Sequence, residues 1–287
     1  MSDPFKIDSP TCISFSGGRT SAYMLWRVLQ SNGGKLPTEA VVCFANTGKE
    51  AEETLVFVRE CSERWNVPIA WVEWLPSYPG FRLVDFNSAS RNGEPFAALI
   101  TKRKFLPNPI SRFCTSELKI RAMHRYLKSL GWRDGDGCWD QMVGIRADEQ
   151  RRVAKIRARP SPETVRETMC MPLADASVSV QDVGGFWEAQ PFDLGLKTVN
   201  GRTLEGNCDL CFLKPPFQRL ALIKKRPEFA VWWIAQEARV QSSGMATGRG
   251  ARFTKDGHSY AALAAFALDQ RDMFDAEQEA IPCFCGD

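Results

Sequence analysis

Thr11-Cys12-Ile13-Ser14-Phe15-Ser16-Gly17-Gly18-Arg19-Thr20-Ser21 decides the reading of the fold. A short β run stops at paired glycines, and the periodicity then changes, with Leu25, Val28 and Leu29 recurring at helical spacing. The stretch is therefore read as strand, tight loop and helix. Working outward, Ala40-Val41-Val42-Cys43-Phe44-Ala45 reads as a strand buried on both faces, and Asn46-Thr47-Gly48 as its loop. A helix follows with Leu55, Val58 and Trp65 on one stripe, then a strand at Ile69-Ala70-Trp71-Val72. Alternation of this kind predicts a parallel α/β sheet with ligands at the carboxyl ends of its strands.

The stretch from Ser77 to Pro109, rich in Pro, Gly, Asn and Arg, reads as a long excursion with a short helix near Pro95–Thr101. A helix marked by Ile120, Met123, Leu127 and Leu130 ends at Gly131, and Trp139–Ile145 reads as a further strand. Beyond Pro172 the pattern is less regular. Helices are expected around Val180–Trp187, Phe217–Lys225 and Pro227–Gln241, with an insert at Asn207–Cys211 and a glycine-rich loop at Ser242–Gly257. The division predicted is a nucleotide-binding α/β core over 1–160 and a mostly helical, cysteine-bearing region over 161–287 packed on it.

With 287 residues, 44% hydrophobic and 25% charged, the chain has the composition of an ordinary globular protein. A net charge of +3 neither demands nor excludes a nucleic-acid partner. Met1–Lys6 lacks the basic and apolar regions of a signal peptide, and no stretch approaches the length of a membrane span. A cytoplasmic location without membrane attachment is expected. Ten cysteines in a reducing compartment then point to core thiols, metal ligands or redox chemistry rather than to disulfides.

The turn Ser16–Ser21 is suited to an anion. Glycines let successive amides approach a ligand, the hydroxyls add donors, and the following helix points its positive end at the same place. No Lys-Ser/Thr pair follows a four-residue spacer, so the turn is not a Walker loop. It resembles the pyrophosphate loop of the adenine nucleotide α-hydrolase superfamily, with Arg19 and Thr20 where Lys and Asp are usual. Asn46-Thr47-Gly48-Lys49-Glu50 falls where that superfamily contacts adenosine. Arg112–Lys119, with Cys114 ahead of a basic helix, and Gly144-Ile145-Arg146-Ala147-Asp148-Glu149 followed by Arg151-Arg152 resemble segments of phosphoadenosine phosphosulfate reductases. Residues 10 to 155 thus resemble the phosphoadenosine phosphosulfate reductase-like family. The resemblance implies a Rossmann-like core binding ATP and Mg²⁺ through Ser16, Gly17, Gly18, Arg19, Thr20, Ser21, Asn46, Thr47, Gly48, Gly144 and Arg146. Arg19, Arg146 and Cys114 are then the expected catalytic residues. For Arg151 and Arg152, phosphate contact and a solvated basic face stand level.

Cys12, Cys43 and Cys61 read as core thiols, while Cys138 and Cys170 carry no local signal. Cys208-Asp209-Leu210-Cys211 and Cys283-Phe284-Cys285 are two close pairs whose four sulfurs suit tetrahedral zinc or an iron–sulfur cluster. Either Cys114 joins Cys208, Cys211 and one terminal cysteine, or the two pairs bind metal and Cys114 stays free for sulfur chemistry. The resemblance favours a [4Fe–4S] cluster over Zn²⁺. His124 and His258 lack triad neighbours, and Trp232-Trp233 reads as core packing.

The function expected is an ATP pyrophosphatase acting in sulfur transfer, with a sulfur donor such as a cysteine desulfurase and a nucleic-acid acceptor, as in DNA phosphorothioation or tRNA thiolation. The alternatives are a phosphoadenosine phosphosulfate or adenylyl-sulfate reductase and a non-catalytic nucleotide-binding subunit.

Overall fold

A computed structural model describes residues 3–132, 139–158, 167–199, 202–254 and 258–269. Its centre is a six-stranded sheet in the order β4-β3-β2-β1-β5-β6, formed by β1 (Thr11–Ser14), β2 (Ala40–Ala45), β3 (Ile69–Trp74), β4 (Phe81–Val84), β5 (Trp139–Val143) and β6 (Glu167–Cys170). All pairings are parallel except β3 with β4, which is antiparallel. The protein is thus an α/β protein with a mostly parallel sheet, as the strand–helix alternation requires. The excursion expected over 77–109 turns back as β4, an antiparallel edge strand, before α3 (Glu94–Arg103).

Alternation along the strands sorts the core. Ile13, Val42, Phe44 and Met142 face one side, against α1 (Arg19–Ser31) and α2 (Glu52–Arg64). Cys12, Cys43 and Trp139 face the other, with Met123 and Leu127 of α4 (Ala122–Ser129). A third cluster, around Phe96, Phe253 and Trp233, joins Val72 and Trp74 of β3 to the C-terminal helices.

The region after 161 does not pack as one body. α6 (Pro172–Asp175), α7 (Val180–Glu188) and the chain to Leu196 join the α1–α2 layer through Leu173, Val183, Trp187 and Leu194. The hairpin of β7 (Thr198–Val199) and β8 (Arg202–Thr203) follows. Then α8 (Pro216–Lys225), α9 (Glu228–Ser242) and α10 (Tyr260–Asp269) build the third cluster. α5 (Gln150–Ala158), after β5, buries no side chain.

Among the described residues no helix is long and apolar enough to cross a membrane. Cys12, Cys43 and Cys61 are buried, as free core thiols. His124 is a structural residue, hydrogen-bonded at 2.8 Å to Glu167 with both side chains buried.

Candidate functional site

The chain leaves β1 toward β2 on one side, while β5 lies on the other. The crevice above β1 and β5 is therefore the switch point where open α/β sheets bind ligands. Ser16–Gly18 form one wall. Gly17 has φ +77°, and a Cβ there would stand 2.6 Å from the Thr54 methyl, so glycine is required both by backbone conformation and by packing on α2. Gly18 has φ −107° and only the Ser16 hydroxyl within 4 Å of a would-be Cβ, so it faces open space. α1 begins at once after it with no side-chain cap and no acidic residue in its first turn. The amides of that turn have no intrahelical acceptor, and the helix dipole favours an anion beside them. Ser21 shapes the loop, its hydroxyl accepting from Ser16 N at 3.1 Å and donating to Gly18 O at 2.9 Å.

The other wall is the loop after β5. A Cβ on Gly144 would lie 3.1 Å from Ser21 Cα, a tight contact that a larger residue could make only by moving α1 a few tenths of an ångström from the end of β5. Arg146 then reaches across and donates to the Thr20 hydroxyl at 3.0 Å. Its guanidinium is also held by Asp148 at 2.9 and 3.1 Å and lies 3.5 Å from Glu149. The expected phosphate-facing pair, Arg19 and Arg146, thus stands at the crevice with carboxylates on both members. Arg19 turns to Asp193, to the hydroxyls of Thr198 and Thr203 and to the Leu196 carbonyl, while Trp187 Nε1 donates to its own carbonyl at 3.0 Å. Asp193 had no signal in the sequence, because it meets Arg19 across 174 positions.

After β2 the chain forms a buried polar knot. Asn46, fully buried, donates to Glu73 at 2.6 Å and to the Ser90 carbonyl at 2.9 Å, while its oxygen accepts from Gly48 N. Glu73 is itself held by Ser90 and Arg82. Thr47 gives its amide and hydroxyl to the Glu50 carboxylate, each at 2.9 Å. The side chains of Asn46 and Thr47 therefore shape this loop from inside rather than line the crevice.

The thiols meet the same loop. Glu50 bridges to Cys208 in antiparallel fashion, and Asp209 N donates to Lys49 O at 2.8 Å. The Thr47 hydroxyl, 2.9 Å from the Glu50 carboxylate, also lies 3.6 Å from Cys208 Sγ. Lys49 and Asp209 form a buried ion pair at 2.7 Å, and the Trp233 indole donates to the same carboxylate at 2.8 Å. Cys114 packs, like Cys208, against the third apolar cluster. It stands at the head of a π-helical turn, Thr115–Arg121, that runs directly into α4. Such turns recur at functional sites. The Cys208 thiol is pushed up to about 12, first by burial and then by Glu50, with Lys119 opposing. Burial also raises the Cys114 thiol, again against Lys119.

Cys208 thus meets Thr47 and Glu50, Cys114 lies against the same apolar cluster as Cys208, and Cys211 is buried. Cys283 and Cys285 lie outside the described residues. Among the described residues no group of three or more Cys, His, Asp or Glu side chains is placed to hold a metal ion. The described thiols fall short of a ligand set by themselves. The buried Lys49–Asp209 pair, which fixes the CxxC turn, was not foreseen. An Asp inside a CxxC reads equally well as a surface spacer.

Fold and site together define an α/β protein with a glycine-turn loop at the carboxyl edge of a mostly parallel sheet and the Cys208 thiol against the loop after β2. No family model matches the chain. Over 224 residues, 75% of this chain and 70% of its relative, it is 30% identical to the uncharacterized nin region protein ORF290 of Escherichia phage lambda, and it belongs to the family of that phage protein.

Proposed function

We propose that the protein is a pyrophosphate-loop enzyme of the adenine nucleotide α-hydrolase type. It would split ATP between the α and β phosphates and use the adenylated intermediate for sulfur transfer. One observation carries this reading: the uncapped glycine turn after β1, the Arg146 loop after β5 and the β2 loop against which Cys208 sits lie at one edge of the sheet. The first-turn amides of α1 would hold the leaving pyrophosphate, and Mg²⁺ accompanying the nucleotide would supply further neutralisation of phosphate charge. Arg146 would neutralise charge at the crevice by exchanging part of its contact with Asp148 for phosphate oxygen. The acceptor oxygen attacks the α-phosphorus and pyrophosphate leaves; the outer sulfur of a Cys114 persulfide, loaded by a donor such as a cysteine desulfurase, then displaces AMP, and a second thiol cleaves the resulting acceptor–Cys114 disulfide, releasing the thiolated product and leaving a cysteine disulfide that an external thiol reductant resets. With Cys114 as the carrier, a [4Fe–4S] cluster, or zinc in its place, would be held by Cys208, Cys211 and cysteines beyond the described residues, the cluster supplying redox chemistry beside the carrier.

The test is pyrophosphate release from ATP by anaerobically purified protein, with iron and sulfide measured on the same sample. Release that is lost in Arg146→Ala supports the reading. Sulfite formation from adenylyl sulfate or its 3′-phosphorylated form, with no release from ATP, replaces it with a reductase. Nucleotide binding without turnover of either substrate makes the protein a nucleotide-binding subunit.

A further inference from the structure

α5 is a helix without a place in the core. Its nine residues, Gln150-Arg151-Arg152-Val153-Ala154-Lys155-Ile156-Arg157-Ala158, include none that is buried, and no other described element packs extensively on it. A helix of this length is marginal on its own. It carries four basic residues and no acidic one, while the whole chain has a net charge of only +3, so the rest of the molecule is close to neutral. Its half-buried residues, Arg152, Val153 and Ile156, lie toward the body, and Arg151, Ala154, Lys155 and Ala158 lie toward solvent. Arg151 and Lys155 are one turn apart on that outer face.

Glu149 is shared between Arg146 and Arg152, Asp148 is taken by Arg146, and Asp175 pairs with Arg157 at 2.7 Å. Among the described residues no ion pair involves Arg151.

We propose that the outer face of α5 docks the phosphodiester backbone of a nucleic acid, presenting it to the crevice between β1 and β5. The chemistry of the face selects this partner. Arginine-rich charge suits phosphate, which it binds through a planar fork of donors. The outer face has no Trp, Phe or Leu to enter a bilayer, as an interfacial helix needs. It also has no aromatic or large aliphatic anchor of the kind that dominates protein interfaces. Position adds to this, since α5 begins directly after the loop that sends Arg146 to Thr20. The inference rests on the proposed function only for the purpose of docking, namely to supply the acceptor; the binding itself stands on the helix.

Fluorescence anisotropy of the full-length protein with labelled single-stranded DNA, duplex DNA and an RNA hairpin tests it. Binding to at least one probe is expected, with affinity falling steeply as salt rises. Arg151→Glu with Lys155→Glu should weaken it by about tenfold or more and flatten the log–log salt slope by about 1.4 units for single strands. The charge-matched control Lys6→Glu with Lys35→Glu, at two exposed positions far from α5 in sequence, should leave it near wild type. Equal loss in both double variants would make the attraction a matter of net charge and overturn the proposal. So would absence of binding to every probe at low salt, or binding to phosphatidylserine vesicles alone. ATP affinity measured on the α5 variant separates the two readings. Lost nucleic-acid binding with intact ATP binding supports the docking face, whereas a wild type that binds nucleic acid but not ATP removes the nucleotide site and leaves α5 standing.

Discussion

At the scale of single residues, the two glycines of the first loop have different duties, and two substitutions separate them. Gly17→Ala places a methyl against Thr54 at a positive φ, so it should lower stability by more than about 1 kcal/mol in urea unfolding whatever the ligand does. Gly18→Ala meets no backbone and no strained φ, so its unfolding midpoint should stay at wild type while ATP affinity, read by calorimetry, falls. Unchanged affinity in Gly18→Ala would remove the loop from the nucleotide site. The glycines were legible as a turn, but their division of labour was not, because Thr54 reaches Gly17 only after α2 folds back on the sheet. Asp193 makes a second case. Burial pushes its carboxyl up, yet the hydrogen bond from Arg19 and those from the backbone of Leu194 and Gly195 outweigh this and hold it below the usual carboxylate range. A depressed value means that the pair's contribution is present above the ordinary pKa of about 3.9 and disappears as the pH falls below it. At neutral pH Arg19 therefore stays with Asp193. Asp193→Asn should tighten ATP binding several-fold if Arg19 also serves phosphate; an affinity equal to wild type would make Arg19 an anchor for the β7–β8 hairpin alone.

At the scale of elements, the turn carrying Cys208 depends on a buried charge pair more than on its own cysteines. Asp209→Asn leaves the Lys49 ammonium buried without its carboxylate, which should cost roughly 3–5 kcal/mol. Trp233→Phe keeps most of the ring volume and removes one donor to that carboxylate, so a loss of about 1–3 kcal/mol is expected. Denaturant midpoints of the two variants check both values, and a neutral Asp209→Asn would mean that the CxxC turn is held by something else. This weld explains what sequence periodicity reached and what it missed. The run from β1 to β3 was readable because each strand or helix shows its own period in its own residues. β4 was hidden in a stretch rich in turn formers, since an antiparallel edge strand with a half-exposed face has little apolar signal. The π-helical turn kept the spacing of an ordinary helix, so only its hydrogen bonds distinguish it. α10, nearly all alanine and large apolar residues, shows no face in its spacing and takes its place from α8 and α9.

At the scale of the whole molecule, the nine tryptophans are spread over all three clusters: Trp26, Trp65, Trp71 and Trp187 in one, Trp74, Trp232 and Trp233 in another, Trp132 and Trp139 in the third. The clusters share strands, and the β2 loop ties the C-terminal helices to the sheet, so one cooperative transition is expected. Tryptophan fluorescence and far-ultraviolet circular dichroism should then trace the same urea curve. An earlier fluorescence change would show that the segment from Cys208 onward opens separately. The close approach of Gly144 to Ser21 has a consequence of another kind, on the scale of descent. The obstacle there is the backbone of Ser21, which no change of side chain can move aside. The root of the β5 loop is therefore tightly constrained, while the residues of α5 are tied to the body by ion pairs such as Arg152–Glu149 and Arg157–Asp175 rather than by buried packing. Lineages of this family can retune what the crevice attracts, one surface charge at a time, without rebuilding the sheet beneath it.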